Sequence, residues 1–353
     1  MVKKKWCVLP LLLFLVTVSG CGSVYMTAED RYQQNGKISE SVEMETANNG
    51  ELTAYENAST IEPDIYQIAK VFSGLTQEEV EKGLIHDGHE DVQKIVEITE
   101  NDKMINVYTS SSGNASVRNS ADADWYDSMT AVPGEENAGM FEALRQWYPQ
   151  TELDGLSPED ALKICEDAME QADLPCVYEQ TIVLDPDSMG KLSALHYSFQ
   201  DPENTSEKNE DNTEKPGAYV LYFRVLAGEH PLVTVGGRGY VKIICGQDEK
   251  IILMDSDDFF VNPESGKPVQ RKVISAEEAY RRGQGYLQEH GKASASITQV
   301  NICYTSRYVT ETTRNLEPCW EIRYQTESNG STSEDSVFLD AVSGQEINRN
   351  EYY

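Results

Sequence analysis

Basic side chains are scarce. The chain carries 29 Lys and Arg against 60 Asp and Glu, a formal net charge of −31. Phosphate backbones are bound through clustered Lys and Arg, so this deficit speaks against nucleic acid as a partner and opposes anionic lipid headgroups. Recognisable catalytic spacing is also missing. There is no HExxH pair and no GxSxG nucleophile elbow, and Ser265-Gly266-Lys267 lacks the upstream glycine of a P-loop. Gly236-Gly237-Arg238-Gly239 lies between two short expected strands, with no helix dipole behind it to hold a phosphate. His196 and His230 have no sequence partner for a triad. These absences weigh against an enzyme, although catalytic groups can converge from distant segments. Cysteine is sparse as well. Beyond Cys21 stand Cys165, Cys176, Cys245, Cys303 and Cys319, an odd number that forbids complete internal pairing and contains no CxxC or zinc-like cluster.

What is present begins at the amino end. Lys3, Lys4 and Lys5 precede an apolar run, Cys7 to Val18, broken only by Pro10 and Thr17. A short apolar core behind positive charge is an export signal, too short for a comfortable membrane span. It ends in Val18-Ser19-Gly20-Cys21, which resembles the lipobox of bacterial lipoproteins. That resemblance implies cleavage before Cys21, a diacylglycerol on its thiol, and residence at the extracytoplasmic face of the cell membrane. Each buried lipid methylene contributes roughly 0.8 kcal/mol, so two acyl chains anchor far better than one. The mature part then holds 26 basic against 60 acidic side chains, and its contact with the membrane is expected through the lipid alone.

The composition predicts five segments: a signal peptide over 1–20, a lipidated cysteine and disordered tether over 21–60, and α+β units over 61–150, 151–270 and 271–353. The tether is polar, acidic and without a sustained period, too poor in apolar area to offset ordering entropy. A helix start recurs three times, at Leu75-Thr76-Gln77-Glu78-Glu79-Val80, Leu156-Ser157-Pro158-Glu159-Asp160-Ala161 and Ile274-Ser275-Ala276-Glu277-Glu278-Ala279. In each, a hydroxyl can cap free backbone N–H groups and acids sit at the positive end of the helix dipole. Gly283 and Gly285 weaken the third helix unless bare backbone packs closely on something.

Period-two runs follow each helix, including Val177–Leu184, Ala194–Phe199, Tyr219–Val225 and Val300-Ile302-Tyr304. They predict half-buried antiparallel strands. The fold class expected is α+β, with helices packed on one face of antiparallel sheets. A long acidic loop is expected over 200–217 and a shorter one over Thr326–Asp335, with Asn329-Gly330 as a turn signal. Cys303 and Cys319 fall out of phase with the apolar residues of neighbouring strands, so they could share a face. Both a disulfide and unpaired structural thiols are open there.

The helix start at Ile274–Ala279, the strand Ile297–Thr305, the segment Pro318–Tyr324 and the segment Val337–Ile347 resemble the PepSY family of small extracytoplasmic modules. In the last segment a strand delivers Asp340 to a tight turn where Gly344 can adopt positive φ. Residues 60–350 are similar to a lipoprotein family of Gram-positive bacteria with PepSY-like units, possible tandem copies of one module. The resemblance implies regulation of an exported partner rather than catalysis.

Two clusters are weak metal candidates. His86-Asp87-Gly88-His89 offers two imidazoles without helical spacing, and Asp255-Ser256-Asp257-Asp258 offers oxygens without the glycine and distal glutamate of an EF-hand. Tyr304, Tyr308, Trp320, Tyr324 and Phe338 gather in the third unit, where any on an exposed face would suit a peptide or glycan. The sequence therefore favours a non-enzymatic, lipid-anchored module that binds an envelope protein or peptide, with no cofactor beyond its diacylglycerol. A receptor for a cation, small ligand or wall fragment comes second, and an envelope hydrolase third.

Overall fold

The computed structural model describes residues 42–86, 93–100, 103–132, 140–200, 215–233, 240–256, 259–328 and 331–347, all within one compact unit, Ile38–Tyr353. The chain begins with β1 (Glu43–Met44), β2 (Glu51–Ile61), α1 (Ile65–Ser73), α2 (Gln77–Gly83) and β3 (Leu84–His86). Then come β4 (Gln93–Glu100), β5 (Lys103–Ser110), β6 (Ala115–Arg118), α3 (Ala123–Ser128), α4 (Met140–Trp147) and α5 (Pro158–Gln171). The middle holds β7 (Cys176–Leu184), α6 (Pro186–Gln200), β8 (Ala218–Ala227), β9 (His230–Val233), β10 (Tyr240–Gly246) and β11 (Ile251–Ser256). The last part is β12 (Phe260–Asn262), β13 (Lys267–Lys272), α7 (Ala276–Glu289), β14 (Ser296–Thr310), β15 (Thr313–Ser328) and β16 (Ser331–Asp340).

These strands join into one mixed sheet of 16 strands. This corrects the expected α+β fold of helices packed on antiparallel sheets: the molecule is strand-dominated, and its pairing does not stop between the three expected units. Short β9 is the link, antiparallel to β8 and parallel to β14. β2 pairs with β13, β12 and β15, which tie the start of the chain to its end. Residues 51–61, expected as tether, are thus a strand. Its buried positions are Ala54 and Ala58, too small to show as an apolar period.

The helices also do not keep to one face. Along β8, Tyr219, Leu221, Phe223 and Val225 enter a core shared with Ile65, Ile68 and Phe72 of α1 and Ala161 and Cys165 of α5. The alternate residues Ala218, Val220 and Tyr222 enter a second core with Tyr126 of α3, Leu144 of α4 and Met189 and Leu192 of α6. A strand covered on both sides reads as a continuous apolar run, as Tyr219–Phe223 does. Ala194–Phe199, expected as a strand, belongs to α6.

The recurrent helix starts are capped as the sequence indicates. Thr76 and Glu79 form a capping box, and the Ser157 and Ser275 hydroxyls accept from the N–H groups of Asp160 and Glu278. Helix α7 lies on β14, β15 and β16 over a third core built on Trp320, Ile322, Val300 and Leu339. A Cβ on Gly283 would lie 2.7 Å from Ile322 Cγ2, so the missing side chain is what lets the helix approach. Asp340 Oδ1 accepts from the N–H groups of Val342 and Ser343, and Gly344 takes φ +67°. The segment Thr326–Asp335, expected as a loop, is mostly paired strand: Thr326 faces Ser333 and Ser328 faces Ser331. Asn329 and Gly330 lie outside the described residues, as does most of the 200–217 loop.

Candidate functional site

Residues of β15, β16 and the segment after α7 meet α4, β7 and the start of β10 at a polar cleft of about 320 Å³. Its geometry begins with a bulge. Tyr178 pairs with Phe223 and Gln180 with Tyr222, which leaves Glu179 without a partner in β8. Consecutive strand residues normally face opposite sides. The extra residue breaks that alternation, and Glu179 and Gln180 both line the cleft.

Below it runs a charge-balanced network. Arg224 Nη1 of β8 donates to Glu321 Oε1 of β15 at 2.7 Å, both side chains being buried. Arg323 Nη2 donates to Glu179 Oε2 at 2.9 Å, and Arg323 Nε lies 3.3 Å from Glu321 Oε2. Ser336 Oγ and Asn301 Nδ2 also donate to Glu321. Burial alone would raise the Glu321 carboxyl; the Arg224 and Arg323 charges overcome it and hold it at about 2. Burial likewise opposes the charge on Arg224, but Glu321 keeps its guanidinium above its ordinary value. The Phe338 ring centroid lies 5.9 Å from Arg224 Cζ.

One wall is built differently. Arg145 Nη2, from α4, donates to Gln180 Oε1 at 2.5 Å. Because Arg can only donate, this bond fixes the amide with Nε2 as the free donor. Gln180 is 9 % exposed, and Nε2 has no acceptor among the described residues. Phe141 of α4 stands beside Tyr240, ring centroids 5.1 Å apart, and both line the cleft with Phe338. At the mouth, Lys292 Nζ donates to the Tyr324 hydroxyl at 2.5 Å, and Tyr324 donates to Asp335 at 2.7 Å.

The residues singled out from sequence scatter relative to this cleft. Tyr324 and Phe338 line it, Trp320 and Tyr304 are core, and Tyr308 is 68 % exposed on the β14–β15 hairpin. His86 ends β3 opposite Lys94, while His89 lies outside the described residues. Asp255, opposite Lys242 on β11, sets its charge beside Arg118; Asp257 is outside the described residues. Among the described residues, no three His, Cys, Asp or Glu side chains converge as metal ligands. Cys303 and Cys319 sit opposite one another in β14 and β15, buried, as free thiols with their sulfurs 2.7 Å apart. Cys165 and Cys245 also meet in the core, where hydrogen bonding to Cys245 and then burial keep the Cys165 thiol protonated. His230 packs 6.0 Å from the Tyr304 ring. Val18, Ser19, Gly20, Cys21 and Gly236–Gly239 lie outside the described residues, and no described helix is long and apolar enough to cross a membrane.

Sequence reasoning missed the cleft. The available signal was charge inside buried runs: Arg224 alone in Tyr219–Val225, and Glu321 with Arg323 in Pro318–Tyr324. Nothing in the sequence marked Gln180 or Arg145.

No family model and no curated protein matches the chain. A crystal structure described as an uncharacterized protein from Eubacterium rectale has a similar fold, with a TM-score of 0.54 at 12 % identity. The match covers 88 % of this chain and 92 % of that one. It bears on the fold alone.

Proposed function

We propose that the protein is a lipid-anchored extracytoplasmic binding protein without catalytic turnover, and that the cleft between α4, β7 and β15–β16 receives its ligand. The observation that carries this is the cleft-lining Gln180 amide, whose Nε2 is a buried donor without an acceptor among the described residues. A buried donor without an acceptor costs about 1–3 kcal/mol, which a ligand carrying an acceptor recovers. The cleft's size falls at the small end of small-molecule sites. The non-catalytic part of the reading is supported by the carboxylates: Glu179 is held by Arg323, and Asp335 by Lys292 and Tyr324. The leader and Cys21 support the anchor.

The test is a melting-temperature screen with wall fragments, free amino acids and short peptides, run on wild type and Tyr240→Ala. A ligand of the native state must raise the melting temperature. The expected result is a hit lost in the variant; flat curves across the panel contradict the proposal. Replacing Cys21 by Ser should move the protein from the membrane to the soluble fraction, and retention on the membrane would overturn the anchor.

A second reading, a module that binds an envelope protein, is favoured by the β14–β15 hairpin end, where Tyr308 and Val309 are exposed. Crosslinking from intact membranes with Tyr308→Ala as the control tests it. A captured envelope protein lost in the variant supports it, and equal capture by both contradicts it.

A further inference from the structure

We infer that the cleft recognises a small carboxylate with an apolar group beside it, held by Arg145 and Gln180; this rests on the cleft being a ligand site. The three other cations around the cleft each have a carboxylate partner: Arg224 has Glu321, Arg323 has Glu179 and Lys292 has Asp335. Arg145 has only the neutral Gln180 amide among the described residues. Its guanidinium is half-buried, in a chain of net charge −31. Beside it lies Gln180, a cleft-lining residue whose acceptor is occupied and whose Nε2 is buried without an acceptor among the described residues. Arg145's remaining N–H groups and Gln180 Nε2 thus present donors only. A carboxylate is acceptor-only, with two oxygens to set between a guanidinium and an amide N–H.

The surroundings narrow the ligand. Glu142, Glu179, Glu334 and Asp335 also line the cleft. They disfavour a dianion such as a phosphate monoester more than a monoanion. Phe141, Tyr240 and Phe338 offer apolar surface for a neighbouring side group. An N-acylated amino acid and the free C-terminus of a peptide share this chemistry.

The experiment is calorimetric titration of the full lipidated chain in detergent micelles. The probes are N-acetyl-DL-phenylalanine, its uncharged carboxamide, and a hexapeptide ending in phenylalanine with a free or amidated carboxyl. The variants are Arg145→Ala and Gln180→Glu. Gln180→Glu keeps an acceptor for Arg145 while replacing the ligand-facing donor with negative charge, and its melting temperature reports folding separately. The expected result is binding of the acids, at least tenfold weaker binding of the amides, and a loss of at least tenfold in both variants. Binding of the acetylated amino acid alone assigns a small-molecule source; binding of the hexapeptide acid as well assigns a chain terminus. Equal binding of acid and amide, or unchanged binding in the variants, overturns the carboxylate while leaving the cleft as a ligand site. No binding of these probes when a wall fragment binds at Tyr240 likewise removes the carboxylate alone. No binding of anything removes both.

Discussion

Two arginines, one lining the cleft and one beneath it, have opposite surroundings. Arg224 lies on the floor, buried and matched by Glu321, with Arg323 and Glu179 extending the pairing to two cations and two anions. Arg145 lies on the wall and meets only an amide. The floor joins β8 to β15 and its charges answer one another, so it reads as structure. Buried donors without an acceptor occur in both, Arg224 Nη2 on the floor and Gln180 Nε2 on the wall, but only the wall leaves a charge without a carboxylate among the described residues, so it reads as function. The same side chain takes either role according to whether its counter-charge is built into the fold.

The comparison breaks most visibly on the floor. Replacing Glu321 by Gln should cost about 3–5 kcal/mol, because Arg224 stays buried without its counter-charge; urea unfolding measures it. A cost under about 1 kcal/mol would mean that the floor is solvated and not structural.

The pH dependence has a definite sign. Glu321 titrates at about 2 in the folded protein against an ordinary value of 4.5. A depressed carboxyl contributes fully above its unfolded value and loses that contribution as pH falls toward its folded one. The network's share of stability should therefore be constant above about pH 4.5 and fall between there and about 2. Glu321→Gln should flatten that part of the stability profile, and a profile parallel to wild type would contradict the assignment.

On the wall the expected change in stability is smaller. Arg145→Ala removes one hydrogen bond from a half-buried residue, about 1 kcal/mol. Ligand binding should suffer far more than folding; a loss as large as that of Glu321→Gln would erase the distinction between the two arginines.

Beneath the floor, Cys303 and Cys319 share a small core with Phe338. Their sulfurs are directly opposed, and the extracytoplasmic location proposed above would bring them to oxidising disulfide carriers. Thiol–disulfide exchange would pass two electrons and two protons from the pair to the carrier's disulfide. We expect protein purified from the envelope to show the 303–319 linkage by peptide mapping without reduction. Full alkylation of both cysteines in the native, unreduced protein would show that the pair stays reduced.

Local chemistry was legible in the sequence. The Thr76, Ser157 and Ser275 caps, the close packing at Gly283 and the Asp340 turn all depend on residues near one another in the chain or on one helix face. Non-local pairing was not. β2 hides behind alanines, and β9 joins β8 to β14 through two residue pairs on each side. The doubly covered β8 did announce itself as a continuous apolar run, yet it was read by its alternation, which placed helices on one face only. The cleft was least legible. Arg145 and Gln180 are 35 residues apart, and a bulge no propensity marks lets Glu179 line the cleft beside Gln180.

The most direct measurement follows the side-chain nitrogen resonances of Gln180, Arg145 and Arg224 by NMR during titration with N-acetyl-DL-phenylalanine. The account predicts that the Gln180 amide and the Arg145 guanidinium shift together and saturate while Arg224 stays still. Movement of Arg224 alone, or of none of the three, would contradict it.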